Sequence, residues 1–230
     1  MLESLNSEIE NKRESLTEKA YRRLKQEILA NSMVPGFQAL ESELANRLGM
    51  SRTPVREAVI RLQDEGLVEV IPRRGMRVLP MSPHDMKEIY EVLTCVESEA
   101  AAMVAAQRPS ETDLEPLQAA TRKMEEAVNQ GNLEDWAEAD QSYHLALLNI
   151  CENKRLVQIA FNHFDQAHRV RMFTLRLREL PSQSTREHRE QVEALRSGNP
   201  SLVREMYRTH RERAAEELIG ILKKYHLNNL

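Results

Sequence analysis

Four side chains on three separated segments have the types and spacing to hold a metal ion. Asp140 and His144, in ADQSYHLALL, are four residues apart, so they share one face of a helix and can grip one cation together. His188, in REHREQVEAL, and His210, in MYRTHRERAAEEL, lie on two later helical stretches. Three imidazoles and a carboxylate suit Zn²⁺, Ni²⁺ or a similar divalent ion. The remaining histidines are poorer candidates. His163 and His168 are five residues apart, about 140° around a helix, and do not readily share an ion. His84 falls at a helix start and His226 near a fraying end.

A second set of residues is basic. Arg52 and Arg56 are four apart near the start of a predicted helix, with Thr53 between them. Arginine forks onto guanine O6 and N7, and helix-turn-helix proteins put the first residues of their second helix into the major groove. Arg73 and Arg74 sit with Gly75 in a turn between two β-rich runs, where two cations suit phosphate or minor-groove contact.

The elements that must present these groups follow from composition and periodicity. Glycine is scarce, 7 of 230 residues, against a usual share near 7%. Aromatics are 4% and charged residues 30%. This is the profile of a helix-rich protein, and it excludes an all-β sandwich or barrel. The hydrophobic share of 41% is enough for a core.

Leu16, Ala20, Leu24 and Ile28 step along one face of a first helix, which MVPGFQ (33–38) interrupts. A short helix follows with Leu40, Leu44, Ala45 and Leu48 as its apolar face, ended by Gly49. Ser51 is a good N-cap for the next helix, and Pro54 falls in its first turn, where its missing N–H costs nothing. Val55, Ala58, Val59 and Leu62 form the inward stripe, which leaves Arg52 and Arg56 outward. LVEVI (67–71), PRRG (72–75) and MRVL (76–79) read as a two-stranded hairpin. Three helices and a hairpin, with a tight Gly49–Ser51 link, spell a winged helix-turn-helix over 15–80, preceded by a polar tail at 1–14.

Beyond Pro80 there is no strand signal. Six helices are predicted at about 83–107, 111–130, 133–150, 153–178, 183–197 and 200–226. The fold expected is therefore mostly α: an N-terminal winged helix-turn-helix and, over 81–230, an all-α six-helix antiparallel bundle.

The net charge of −4 argues against a nucleic-acid partner until it is divided. Residues 1–80 carry 13 basic and 12 acidic groups, and residues 47–77 carry 7 and 4. The acid excess belongs to the bundle. Cys95 and Cys151 fit no paired metal motif and are expected as buried thiols in a reducing compartment. No apolar run approaches the length of about 20 needed to span a bilayer. The start MLESLNSEIENKRE lacks a signal-peptide core, so the cytoplasm is the expected location.

ESELANRLGMSRTPVREAVIRLQDEGLVEVIPRRGMRV (41–78) resembles the DNA-binding domain of the GntR family of bacterial transcription regulators. The resemblance runs almost without gaps from Tyr21 to Val78. It implies that Ser51, Arg52, Thr53, Arg56 and the wing tip Arg73-Arg74-Gly75 meet a palindromic operator as parts of a homodimer. The bundle is similar to the FadR-type (FCD) effector domain of that family, in its VanR-like six-helix branch. Metal-binding members use one Asp and three His on corresponding helices, and DxxxH, EHxxxxxAL and THxxxA match their registers. A carboxylate effector near that metal, and a repressor, are what the resemblance implies. Two positions depart from the pattern. Ser42 stands where many members carry a DNA-touching arginine. Leu93 stands where members often hold the ligand's acid group with an arginine. Arg169, Arg171 or Arg176 is then left for that task; the spacing does not choose among them, and Arg171 is carried as the candidate.

The rival reading is a metal-dependent helical-bundle enzyme with an accessory nucleic-acid-binding domain. The sequence offers it little. It holds no Glu-x-x-His or HExxH motif, no nucleophile elbow and no P-loop.

Overall fold

The computed structural model describes residues 14–227, and the chain divides into two compact units between Leu79 and Pro80. Of the expected polar tail, residues 1–13 lie outside the described residues.

The first unit runs α1 (Leu16–Leu29), β1 (Gln38–Ala39), α2 (Glu41–Leu48), α3 (Arg52–Asp64), β2 (Val68–Ile71) and β3 (Gly75–Val78). Ser15 starts α1 by accepting a hydrogen bond from the Glu18 amide, one of the orphan donors of a helix start. Ala20, Tyr21, Leu24 and Ile28 of α1 pack with Leu44, Val55, Val59, Leu62, Met76 and Val78 in one core. Gly49 closes α2 in the left-handed region, at φ 67°. Ser51 takes the N-cap position of α3, but its hydroxyl makes no capping bond.

The expected hairpin is in fact a three-stranded antiparallel sheet in the order β1-β3-β2. Gly36 N–H donates to the Val78 carbonyl and Val78 N–H to the Phe37 carbonyl, which lays 38–39 along β3. A strand of two residues has no alternation for the sequence to display.

The second unit is a six-helix antiparallel bundle: α4 (Pro83–Ala106), α5 (Glu111–Gln130), α6 (Leu133–Ile150), α7 (Lys154–Phe173), α8 (Ser182–Ser197) and α9 (Pro200–Lys224). Ser82 with Asp85, and Ser110 with Asp113, form reciprocal capping boxes. Asn132, Asn153 and Asn199 cap α6, α7 and α9. One core gathers residues such as Leu117, Trp136, Leu147 and Leu195; another gathers Met86, Tyr90, Leu93, Val170 and Leu218.

Two expectations need correction. The helix read as 153–178 stops at Phe173 and gives way to a 3₁₀ turn at Leu175–Leu177. At the junction the Thr174 hydroxyl donates to the Val170 carbonyl at 2.9 Å, and no proline or glycine marks the break in the sequence. Cys151 is buried, but Cys95 is exposed. On α4 the inward pairs are Leu93/Thr94 and Glu97/Ser98, which turns Cys95 outward. Among the described residues no helix is long and apolar enough to cross a membrane.

Candidate nucleic-acid interface and candidate metal centre

Every basic side chain of 47–77 is exposed, but they are not equally engaged. Arg47 pairs with Glu27, and Arg77 with Glu69 at 2.6 Å across the strands. Arg61, near the C-terminal end of α3, donates to Glu18 at 2.8 Å and stacks on the Tyr21 ring at 3.5 Å. These cations bridge α1 to α2, α1 to α3 and β2 to β3 at the surface of the unit. Among the described residues Arg52 pairs with Glu41 alone, at 3.5 Å, and its side chain stays 71% exposed. Arg56, Arg73 and Arg74 have no ion-pair partner among the described residues. Ser51 and Thr53 are exposed beside them. The groups with unspent charge are thus the N-terminal end of α3 and the β2–β3 turn, and a groove lined by Ser42, Arg52, Arg73 and Gly75 runs between them.

Gly75 is required at this turn on two counts. Its φ is +81°, and a Cβ there would run into the Ala39 carbonyl and lie 2.7 Å from the Leu40 Cα. Arg73, at φ 63°, shares the left-handed strain of the turn. Gln38 Nε2 donates to the Arg74 carbonyl at 3.1 Å and ties the turn to β1.

In the bundle, α6, α8 and α9 bring Asp140, His144, His188 and His210 together, all of them buried. Each of the three imidazoles offers a nitrogen within 4.8 Å of the others. His188 Nε2 is 3.1 Å and His144 Nε2 3.6 Å from Asp140 Oδ1. Separations of this size are within reach of two ligand atoms on one ion at bonds of about 2.0 Å.

The far sides of the rings are backed by acceptors. His188 Nδ1 faces Gln191 Oε1 at 3.0 Å, and His210 Nδ1 faces Glu187 Oε2 at 2.6 Å. Gln191 Oε1 also accepts from the Tyr143 hydroxyl at 3.1 Å, and Tyr143 and Tyr207 share a further bond at 2.7 Å. His144 Nδ1 lies 3.3 Å from Glu97 Oε2 without hydrogen-bond geometry. Rings held through Nδ1 present Nε2 inward, the arrangement in which metal-ligating histidines are oriented by outer partners.

The protonation states leave nitrogen and carboxylate donors available. Burial, with His188 beside it, pulls His210 down to about 3, and burial also lowers His188. Both rings are neutral at pH 7 and keep a lone pair for a metal. Burial works against the Asp140 carboxylate, yet His144, His188 and Arg171 together hold it well below its usual range. Glu97, despite its burial, is drawn to about 2 by Arg211 and His144. The donor set fits Zn²⁺ or a similar ion in residue type, spacing and protonation.

Of the three arginines left open for an acid group, Arg171 is buried with Nη1 4.0 Å from Asp140 Oδ2, in the wall of the same cavity. Arg176 is at the surface, paired with Glu134 at 3.0 Å. Arg169 is buried on α7 but does not line that cavity. Leu93 is fully buried in apolar company. His163 and His168 do not join the centre; burial lowers both, His168 to about 4.

Sequence reasoning missed the residues behind the ligands. Glu97 and Arg211 form a buried, two-pronged pair between α4 and α9. The signal was there: Glu97 falls on the apolar stripe Tyr90–Leu93–Ala101–Val104, where a lone carboxylate needs a buried partner. Glu187 carried no such signal, because it precedes His188 yet backs His210. Arg178 also lines the cavity and lies beyond the unforeseen break after α7.

The fold and the exposed basic end of α3 define a helix-turn-helix transcription regulator. The bacterial regulatory protein model of the gntR family matches residues 16–78, and the FCD domain model matches 88–213. A helix-turn-helix transcriptional regulator in the TAR-I ttuE-ttuC' intergenic region of Agrobacterium vitis is 42% identical over 132 residues, covering 56% of this chain and 77% of that one. The transcriptional repressor RspR of Escherichia coli is 26% identical over 208 residues, 90% of this chain and 91% of that one. The solved structure of E. coli McbR/YncC superposes with a TM-score of 0.76 at 21% identity, covering 92% of this chain and 99% of that one, a likeness of fold. The chain belongs to the GntR family and carries an FCD domain: it is a DNA-binding transcription regulator, not an enzyme.

Proposed function

We propose that the chain is a homodimeric, ligand-responsive repressor acting in the cytoplasm. In this reading two copies place the N-terminal end of α3 on the half-sites of a palindromic operator. Arg52 and Arg56 read base edges, Ser51 and Thr53 assist, and Arg73, Arg74 and Gly75 bring the wing to the backbone. In the bundle, Asp140, His144, His188 and His210 hold one Zn²⁺, Ni²⁺ or similar ion. Bound there, the ion offers open positions to the oxygens of a carboxylate effector, which Arg171 helps to hold. Glu97, Glu187 and Gln191 keep the rings oriented. The effector shifts the population of dimer arrangements competent for DNA, to the extent that it binds one arrangement better than another.

The observation that carries the metal-centred part is the orientation of the histidines. Two rings have acceptors at Nδ1, the third has Glu97 near its Nδ1, and two Nε2 atoms converge on one Asp140 oxygen. Protein purified without chelator is expected to carry about one ion per chain, and His188→Ala to lose it. A metal-free wild type that still releases its operator with an organic acid overturns this reading.

A further inference from the structure

Guanidinium groups crowd the cavity beside the histidines, and among the described residues two of them keep buried donors without a hydrogen-bond partner. Its wall includes Arg171, Arg178 and Arg211. Arg211 is satisfied by both oxygens of Glu97. Asp140 Oδ1 is turned to His188 and His144, and Glu217 accepts from Arg213 at 3.2 Å. Arg171 and Arg178 are left short. Arg171 is 7% exposed, and its Nη2 is buried without a hydrogen-bond partner. Arg178 Nε is buried and likewise unpartnered; its Nη2 reaches only Thr174 Oγ1, at 3.5 Å. An unanswered buried donor on a charged group is costly, and a second on the same wall compounds the cost. The planar fork of a guanidinium matches a carboxylate.

We infer that Arg171 and Arg178 form a second anion subsite, and that the effector is a short dicarboxylate rather than a monocarboxylate. This rests on the reading of Asp140 and the three histidines as the anchor of the first carboxylate. Arg171, whose Nη1 is 4.0 Å from Asp140 Oδ2, adjoins that anchor, so the two anionic ends are a few bonds apart. The cavity is closed down to about 20 Å³, room for one water, so entry of a ligand requires a side chain to swing away. Arg178, half-buried where Arg171 is buried, is the member of the pair placed to do so.

The test uses the full chain and thermal unfolding, first with Zn²⁺ alone and then with Zn²⁺ and matched acids: malonate against acetate, succinate against propionate, glutarate against butyrate. At least one dicarboxylate is expected to bind about tenfold or more tightly than its monocarboxylate match, with a correspondingly larger rise in Tm. Arg178→Met is expected to erase that preference while keeping the Zn²⁺-only shift, and Arg178→Gln to do the same should the methionine variant fold poorly. Equal binding of the two classes overturns the inference, as does a preference that survives both variants. A Zn²⁺ shift with no acid binding overturns the inference and leaves the metal centre standing. Loss of the Zn²⁺ shift itself in the wild type removes the metal centre and the subsite with it.

Discussion

Arg52 and Arg56 stand in water at the start of α3, whereas Arg171 and Arg211 lie buried among the helices of the bundle. The same side chain serves opposite ends. In the winged helix Arg47, Arg61 and Arg77 are already paired with carboxylates of neighbouring elements. The loosely paired or unpaired ones are the ones proposed to meet a partner. In the bundle the order is set by burial: a guanidinium there must be answered inside the protein or by a ligand. Exposed charge is cheap to leave waiting; buried charge is not.

The widest separation of the two regions is expected from the buried pair. Glu97→Ala strands Arg211 and removes the neighbour of His144, and a loss of about 3–5 kcal/mol in denaturant unfolding is expected. A loss below about 1 kcal/mol would show that the pair is not held apart from water. Next come Arg52→Ala and Arg56→Ala. Each is expected to weaken specific operator binding by about 1–3 kcal/mol while leaving unfolding within about 0.5 kcal/mol of wild type. Fluorescence anisotropy on operator and on unrelated DNA separates readout from general affinity, and unchanged specific binding would remove α3 from the interface.

Acid titration sharpens the contrast within the bundle. His188 and His210 have folded-state pKa values below those of the unfolded chain, His210 at about 3. The unfolded chain therefore binds more protons, and this stability is present above about pH 6.5 and lost as pH falls toward 3. Glu187, held at about 2 against its burial by His210 and Arg213, adds a loss below about pH 4.5. The metal-free protein should weaken with a slope of up to about 1.4 kcal/mol per pH unit for each such proton, and a stability flat from pH 7 to 4 would contradict the neutral histidines. The smallest effect belongs to Arg176→Ala. Its exposed pair with Glu134 is expected to contribute less than about 0.5 kcal/mol, and effector response should be unchanged.

Most of the architecture was legible because it rests on local signals. Gly49, Pro54, Ser82-Pro83, Ser110/Asp113 and Gly198-Asn199-Pro200 punctuate helices by rules that act within four residues. What escaped was either too short or too distant. β1 is two residues long and exists because β3 accepts it. The end of α7 at Phe173 has no proline or glycine to mark it. Asp140 and His144 advertised themselves by their spacing, and His188 and His210 joined them through the family's registers. Glu187 and Arg211 could not, because each acts on a residue of another helix that no periodicity connects to it, whereas Gln191 sits three residues from His188 on one helix face, a spacing the sequence does display.

The two ends of α3 have a consequence for descent with change. Arg61, stacked on Tyr21 and bonded to Glu18, fixes the helix from its far end. Among the described residues Thr53 and Arg56 have no side-chain partner, and Arg52 has the long contact to Glu41. A lineage can therefore rewrite positions 52, 53 and 56 one at a time and move to new operators, because the frame that aims the helix is built from other residues.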